Sequence, residues 1–150
     1  MKKILLSLLV IGATFVGTTA RAQFAKPEDA IKYRKAALTV LGAHTSRLGA
    51  MVQGRVPFDA KTAAENAEIV AEMARLPWAA FVDGSDSGDP KAKAEIWKDN
   101  AKFKDYAGKL QTESVKLVAA AKSGNQDAFK TAFGATAGAC KNCHDDFRAK

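Results

Sequence analysis

Near its C-terminus the chain reads Cys140-Lys141-Asn142-Cys143-His144, and these are its only two cysteines. C-x-x-C-H is the attachment signature of a c-type haem. The spacing has a chemical reason. Each thiol can add to one vinyl group of the macrocycle as a thioether, and two cysteines three apart on a helix reach both vinyls along one edge. The adjacent imidazole then meets the iron from one face, making Cys140 and Cys143 the anchors and His144 the axial ligand. Three other uses compete. Structural zinc takes about four ligands, and this motif offers three. A thioredoxin-like redox pair belongs in a βαβ context, which the sequence does not show. A casual pair of core cysteines would leave two free thiols, a poor choice for an exported chain.

Export is what the other end of the chain suggests. Met1-Lys2-Lys3 is basic, Ile4 to Gly12 is apolar, and Ala20-Arg21-Ala22 is an A-x-A pattern. Together these read as a secretory signal peptide, residues 1–22, cleaved after Ala22. The apolar run is short for a membrane span, so an N-terminal anchor is the weaker alternative. A mature domain of residues 23–150 is then expected in the bacterial periplasm, with no membrane attachment. Removing Lys2, Lys3 and Arg21 lowers the formal charge from +7 to +4. The remaining lysines are spread along the chain without an aromatic-basic stripe, which argues against nucleic acid.

The elements that must carry the motif read as helix throughout. Ala, Lys, Leu and Glu dominate, and no alternating β-branched run stands out. The first helix is expected from about Pro27 to Val52, with Ile31, Leu38, Leu41, Thr45 and Leu48 at helical spacing. The second begins at Asp59 as N-cap, and Pro77 disturbs or ends it. Residues 82–90, with Gly84 and Gly88, form the longest loop signal. The third helix is expected from about Lys93 to Lys122. The fourth starts after Asn125 and runs through the cysteine motif to about Arg148. Four amphipathic helices with short connections predict an all-α, antiparallel up-down four-helix bundle.

Four stretches together resemble the cytochromes c prime over essentially the whole mature chain. They are the haem motif at the extreme C-terminus with Arg148 behind it, Leu76-Pro77-Trp78-Ala79-Ala80-Phe81, the opening Gln23-Phe24-Ala25-Lys26-Pro27-Glu28-Asp29-Ala30, and Tyr33-Arg34. The resemblance implies one covalent haem c per chain, with five-coordinate iron enclosed by apolar side chains. It implies binding of nitric oxide and carbon monoxide, electron transfer with a redox partner, and a homodimer packed through the first two helices.

The resemblance also assigns residues. Leu38 would face the iron as a distal plug, whereas the low-spin sister group of bundle cytochromes carries a methionine on the first helix as sixth ligand. A leucine has no lone pair to offer. Met51, Met73 and His44 are the other conceivable ligands; His44 faces about 120° away from Leu38 around the helix. Arg34 matches a position near a haem propionate. Lys35 takes a haem-contact position often held by glutamine, and Asp89 a position near the haem edge. Trp78 and Phe81 match aromatics packed beside the haem. Arg148, one turn after His144, would flank the proximal face. A haem peroxidase would need a distal acid–base residue, and Leu38 is none, so the chain is not expected to be an enzyme.

The motif makes a direct prediction. After expression with the attachment machinery, the intact mass should exceed that of the mature polypeptide by one haem and keep that excess through denaturation. A mass equal to the bare polypeptide would refute covalent attachment.

Overall fold

Helix starts follow the residues expected to make them. Pro27 opens the first helix, where its missing N–H costs nothing, and Glu28 and Asp29 sit in the same turn. Asp59 accepts a hydrogen bond from the Thr62 amide at 2.7 Å. The Asn125 side chain accepts from both Asp127 and Ala128 amides, each at 3.0 Å. Each cap satisfies donors that the first turn leaves bare.

The computed structural model describes residues 23–150; the expected leader lies outside the described residues. The helices are α1 (Pro27–Val52), α2 (Ala60–Met73), α3 (Glu95–Lys98), α4 (Asn100–Lys122) and α5 (Gln126–Phe147), with a 3₁₀ turn at Pro77–Ala80. The expected third helix is therefore two. Asp99 leaves helical geometry (φ −114°, ψ 56°) and its carboxylate caps Lys102 N at 3.3 Å. A side chain that can serve as an N-cap here ends one helix and begins the next.

Apolar side chains stack in three layers along the bundle axis. At one end Leu48, Met51, Ala63, Ala67, Val70, Leu117, Ala121 and Phe129 pack together. Leu41, Ala74, Leu110 and Ala139 form the middle. Ile96, Phe103 and Phe147 form the other end. Through these layers residue numbers fall along α1, rise along α2, fall along α4 and rise along α5. The chain thus runs up, down, up, down. α1 packs on α2 and α5, and α4 packs on the same two, closing a ring. Gly49 lets α1 approach α5 closely: a Cβ there would stand 3.2 Å from the Phe133 ring.

Phe129 is fully buried in the first layer, against Phe58 and Phe133. Phe129→Ala should cost about 3–5 kcal/mol of unfolding free energy. Urea denaturation of the haem-loaded protein measures it, and a loss below about 1 kcal/mol would show that this layer does not hold the bundle together.

Candidate haem site

α5 carries the two cysteines onto one face, because residues three apart on a helix are neighbours. Cys140 packs against the middle layer and Cys143 against the third. Trp78 touches both layers, so the thiols flank the seam between them. Both are half-buried and unpaired. Burial raises the Cys140 thiol. It raises Cys143 to about 11, with Cys140 and Asp146 adding to the effect. Thiols held neutral are slow partners in disulfide exchange. Among the described residues no three His, Cys, Asp or Glu side chains converge as a metal site.

His144 stands exposed beside them. Protein packed along one side of the imidazole lowers its pKa, the Arg148 charge lowers it further, and Asp145 works in the opposite direction. The ring is neutral near neutral pH, with a lone pair available to iron.

From α1 comes Arg34, which is 0% exposed. Nη1 donates to Ala80 O at 3.2 Å and Ser85 Oγ at 2.8 Å. Nη2 donates to Ser85 O at 2.8 Å and pairs with Asp89 Oδ2 at 3.3 Å. The guanidinium carbon lies 4.6 Å from the Phe81 ring centroid and 5.6 Å from that of Trp97. Burial pulls the arginine pKa down while Asp89 pushes it back up, and an arginine stays charged in any case. Nε is buried with no partner. An orphaned donor on a buried cation suits an anionic group such as a haem propionate. Two neutral thiols on one face, a neutral imidazole next to them and this unmet donor are a donor set that fits a covalent haem.

A family model of the cytochromes c prime matches residues 29–148. The chain belongs to that family. It is 46% identical over 128 residues to cytochrome c prime of Alcaligenes xylosoxydans xylosoxydans, covering 85% of this chain and 99% of the relative. The fold is similar to the crystal structure of Rubrivivax gelatinosus cytochrome c prime (TM-score 0.81, 48% identity, 85% of this chain and 100% of that one). It is also similar to a mutant cytochrome c prime from Alcaligenes xylosoxidans solved as its nitric oxide complex (TM-score 0.79, 44% identity, 85% and 99%). The cofactor of this family is haem c, attached covalently, and the four-helix bundle is the family's fold.

Membership gives the other expected residues a frame. Trp78 stacks near Phe81, with ring centroids 6.4 Å apart, and meets Phe103 edge-on at 5.6 Å. Its indole N–H caps Ala74 O beyond the end of α2. Pro77 is buried and starts the 3₁₀ turn, so α2 stops at Met73 and Leu76 is an exposed link. Leu38 is half-buried and belongs to none of the three packed layers. Lys35 is exposed and lines a surface hollow with Glu28, Lys32 and Gly88. Arg34 and Asp89, far apart in sequence, are brought together; Lys35 is not part of that contact. Met51 is buried in the layer remote from the cysteines, whereas Met73 packs on the middle layer with Cys140. His44 Nδ1 is engaged with Asn66 Oδ1 at 2.8 Å.

One expected placement changes. Arg148 stays one turn after His144 but is the cap of α5 and not a helical residue. α5 ends at Phe147, and Arg148 is extended (φ −111°, ψ 128°), with its amide donating to His144 O at 3.1 Å. An antiparallel bridge to Ala92 draws it out of the helix. Its charge still reaches the His144 imidazole. Ser85, Trp97, Phe103, Tyr106 and Lys93 belong to the neighbourhood without having been singled out in the sequence. Trp97 and Phe103 were visible as core aromatics of the third helical segment. Ser85 had no signal beyond loop composition.

The buried pair is testable. Arg34→Met strands the Asp89 carboxylate and should cost about 3–5 kcal/mol by chemical denaturation. Adding Asp89→Asn to that variant removes the stranded charge and should recover part of the loss. Equal stability of the single and double variants would mean that the Asp89 charge is not held by Arg34.

Proposed function

We propose that this chain is a periplasmic haem protein whose iron has His144 as its only protein ligand and binds nitric oxide and carbon monoxide. When bound, the haem supplies an iron that accepts such gases and cycles between ferric and ferrous states. Cys140 and Cys143 fix its edge to the seam between two apolar layers. The free Nε of Arg34 receives a propionate, and Asp89 holds that arginine in place. The carrying observation is Leu38, a half-buried hydrocarbon on α1, to which the resemblance gives the position where the low-spin sister group carries a ligating methionine. A pocket without a hydrogen-bond donor gives no polar stabilisation to bound oxygen, while neutral gases need it less. The nitric oxide complex of the Alcaligenes relative supports the same reading.

Electron transfer with a redox partner is the second role, and it needs no further group in the site. The periplasmic location rests on the N-terminal leader. Among the described residues no helix is long and apolar enough to cross a membrane. A second copy packs against α1 and α2, where Val40 and Ile69 are exposed at 40% and 36%.

Absorption spectra test the reading. Ferrous protein should show high-spin bands that shift with carbon monoxide or nitric oxide. A low-spin ferrous spectrum indifferent to carbon monoxide would overturn it and point to Met73, which lies on the layer that Cys140 touches. Leu38→Ala should speed carbon monoxide association on the order of tenfold, equivalent to about 1.4 kcal/mol of barrier. Unchanged association kinetics would remove Leu38 from the distal side.

A further inference from the structure

The turn that bears His144 is held from outside its own helix. The last carbonyls of a helix have no partner within it. Here Lys93, in the connection before α3, supplies one: its Nζ donates to Asp145 O at 3.0 Å and Asp146 O at 3.2 Å. The same residue's backbone amide donates to Phe147 O at 3.1 Å, and Ala149 N donates to Lys91 O at 3.0 Å. Residues 91–93 therefore form a strap across residues 147–149. α4 clamps the turn from the other side. The Asp146 carboxylate accepts from Tyr106 Oη at 2.9 Å and pairs with Lys102 Nζ at 2.9 Å.

Two consequences follow for the residues beside the iron ligand. The strap is what pulls Arg148 out of the helix, since Ala92 bridges to it. It thereby sets where the guanidinium stands relative to the imidazole. The ammonium of Lys93 also places a positive charge at the negative end of the α5 dipole, adding to the hold on that turn.

We propose that Lys93 is a positioning residue for the proximal side of the haem, acting through the final turn of α5 and through Arg148 on the orientation of His144. This rests on His144 being the iron ligand. Lys93 touches neither the thiols nor the imidazole; it acts by fixing the carbonyls one and two residues beyond the histidine. A cation at this point with an unbranched stem is required, and arginine would keep both features.

The test compares haem-loaded wild type, Lys93→Met and Lys93→Arg. Methionine keeps the stem and the backbone hydrogen bond to Phe147 while deleting the ammonium. Amide hydrogen exchange at Arg148 and Ala149 should accelerate about tenfold in Lys93→Met, the loss expected for one charge-assisted hydrogen bond. The iron–histidine stretching band of the ferrous protein should shift or broaden in the same variant. Both signals should return towards wild type in Lys93→Arg. Absence of that band in wild type would refute a five-coordinate ferrous iron held by His144, and with it the proposal that rests on it. With the band present in wild type, unchanged exchange in Lys93→Met would show that the ammonium does not hold the strap. Faster exchange with an unaltered band would show a purely structural contact. Either result overturns the positioning role.

Discussion

A fully buried guanidinium constrains this molecule more than any other single group. Transferring a charge out of water costs several kcal/mol unless partners surround it. Arg34 projects from α1 into a region that α1 itself cannot satisfy. The partners come from a single stretch of chain: Ala80 O, both Ser85 oxygens and the Asp89 carboxylate. That stretch must therefore fold over the end of the bundle in one way. Ser85 is itself held by a turn, its amide and hydroxyl both donating to Val82 O. Gly88, at φ +85°, supplies a left-handed backbone where most residues would be strained. Phe81 and Trp97 cover the guanidinium face. Only Nε is left, and a haem carboxylate is the group it suits.

The bundle's two ends divide stability from chemistry. The layer around Leu48, Val70, Leu117 and Phe129 is filled by aliphatic and aromatic side chains. Nothing there needs to be exposed. At the other end, Trp78, Phe81, Phe103 and Phe147 stack edge to face in a chain of rings. Rings give a rigid wall at low conformational cost, and their flat faces suit a flat macrocycle. The cysteines sit where the aliphatic middle layer gives way to these rings. A tether there fixes the haem against a wall to which α5 itself contributes Phe147.

The parts legible in the sequence are those set by local chemistry. The haem motif is a covalent spacing rule, and it reads the same in any fold. Asp59 and Asn125 cap because their side chains reach their own next turn. Helical periodicity gave four segments because each must bury a stripe. What escaped depended on distant partners. The break at Asp99 competes with a helix that every neighbouring propensity favours, so periodicity ran through it. Arg148 follows the helix rule until Ala92, more than fifty positions away, offers a strand-like bridge. Ser85 is an ordinary loop serine until Arg34 arrives beside it. The family resemblance placed Arg34 and Asp89 near the haem, but not against each other, because a resemblance by position carries no pairing.

The connection between α2 and α4 is long for a bundle of this size, and long connections persist mainly where they do something. This one begins by turning at Pro77 and hanging Trp78 and Phe81 into the third layer. It then closes around Arg34 from α1, and finally straps the end of α5 through residues 91–93. Four helices alone would leave the Arg34 guanidinium unsatisfied and the last carbonyls of α5 bare. They would also place Arg148 on a helix face rather than in an extended tail. The loop corrects all three at once. It also touches both α1, at Arg34, and the final turn of α5 without belonging to either. The geometry around Arg34 on α1 and around the last turn of α5 is therefore not set independently by the two helices. It is set by one piece of chain, anchored at the buried charge of Arg34 and strapped to the end of α5 by Lys93.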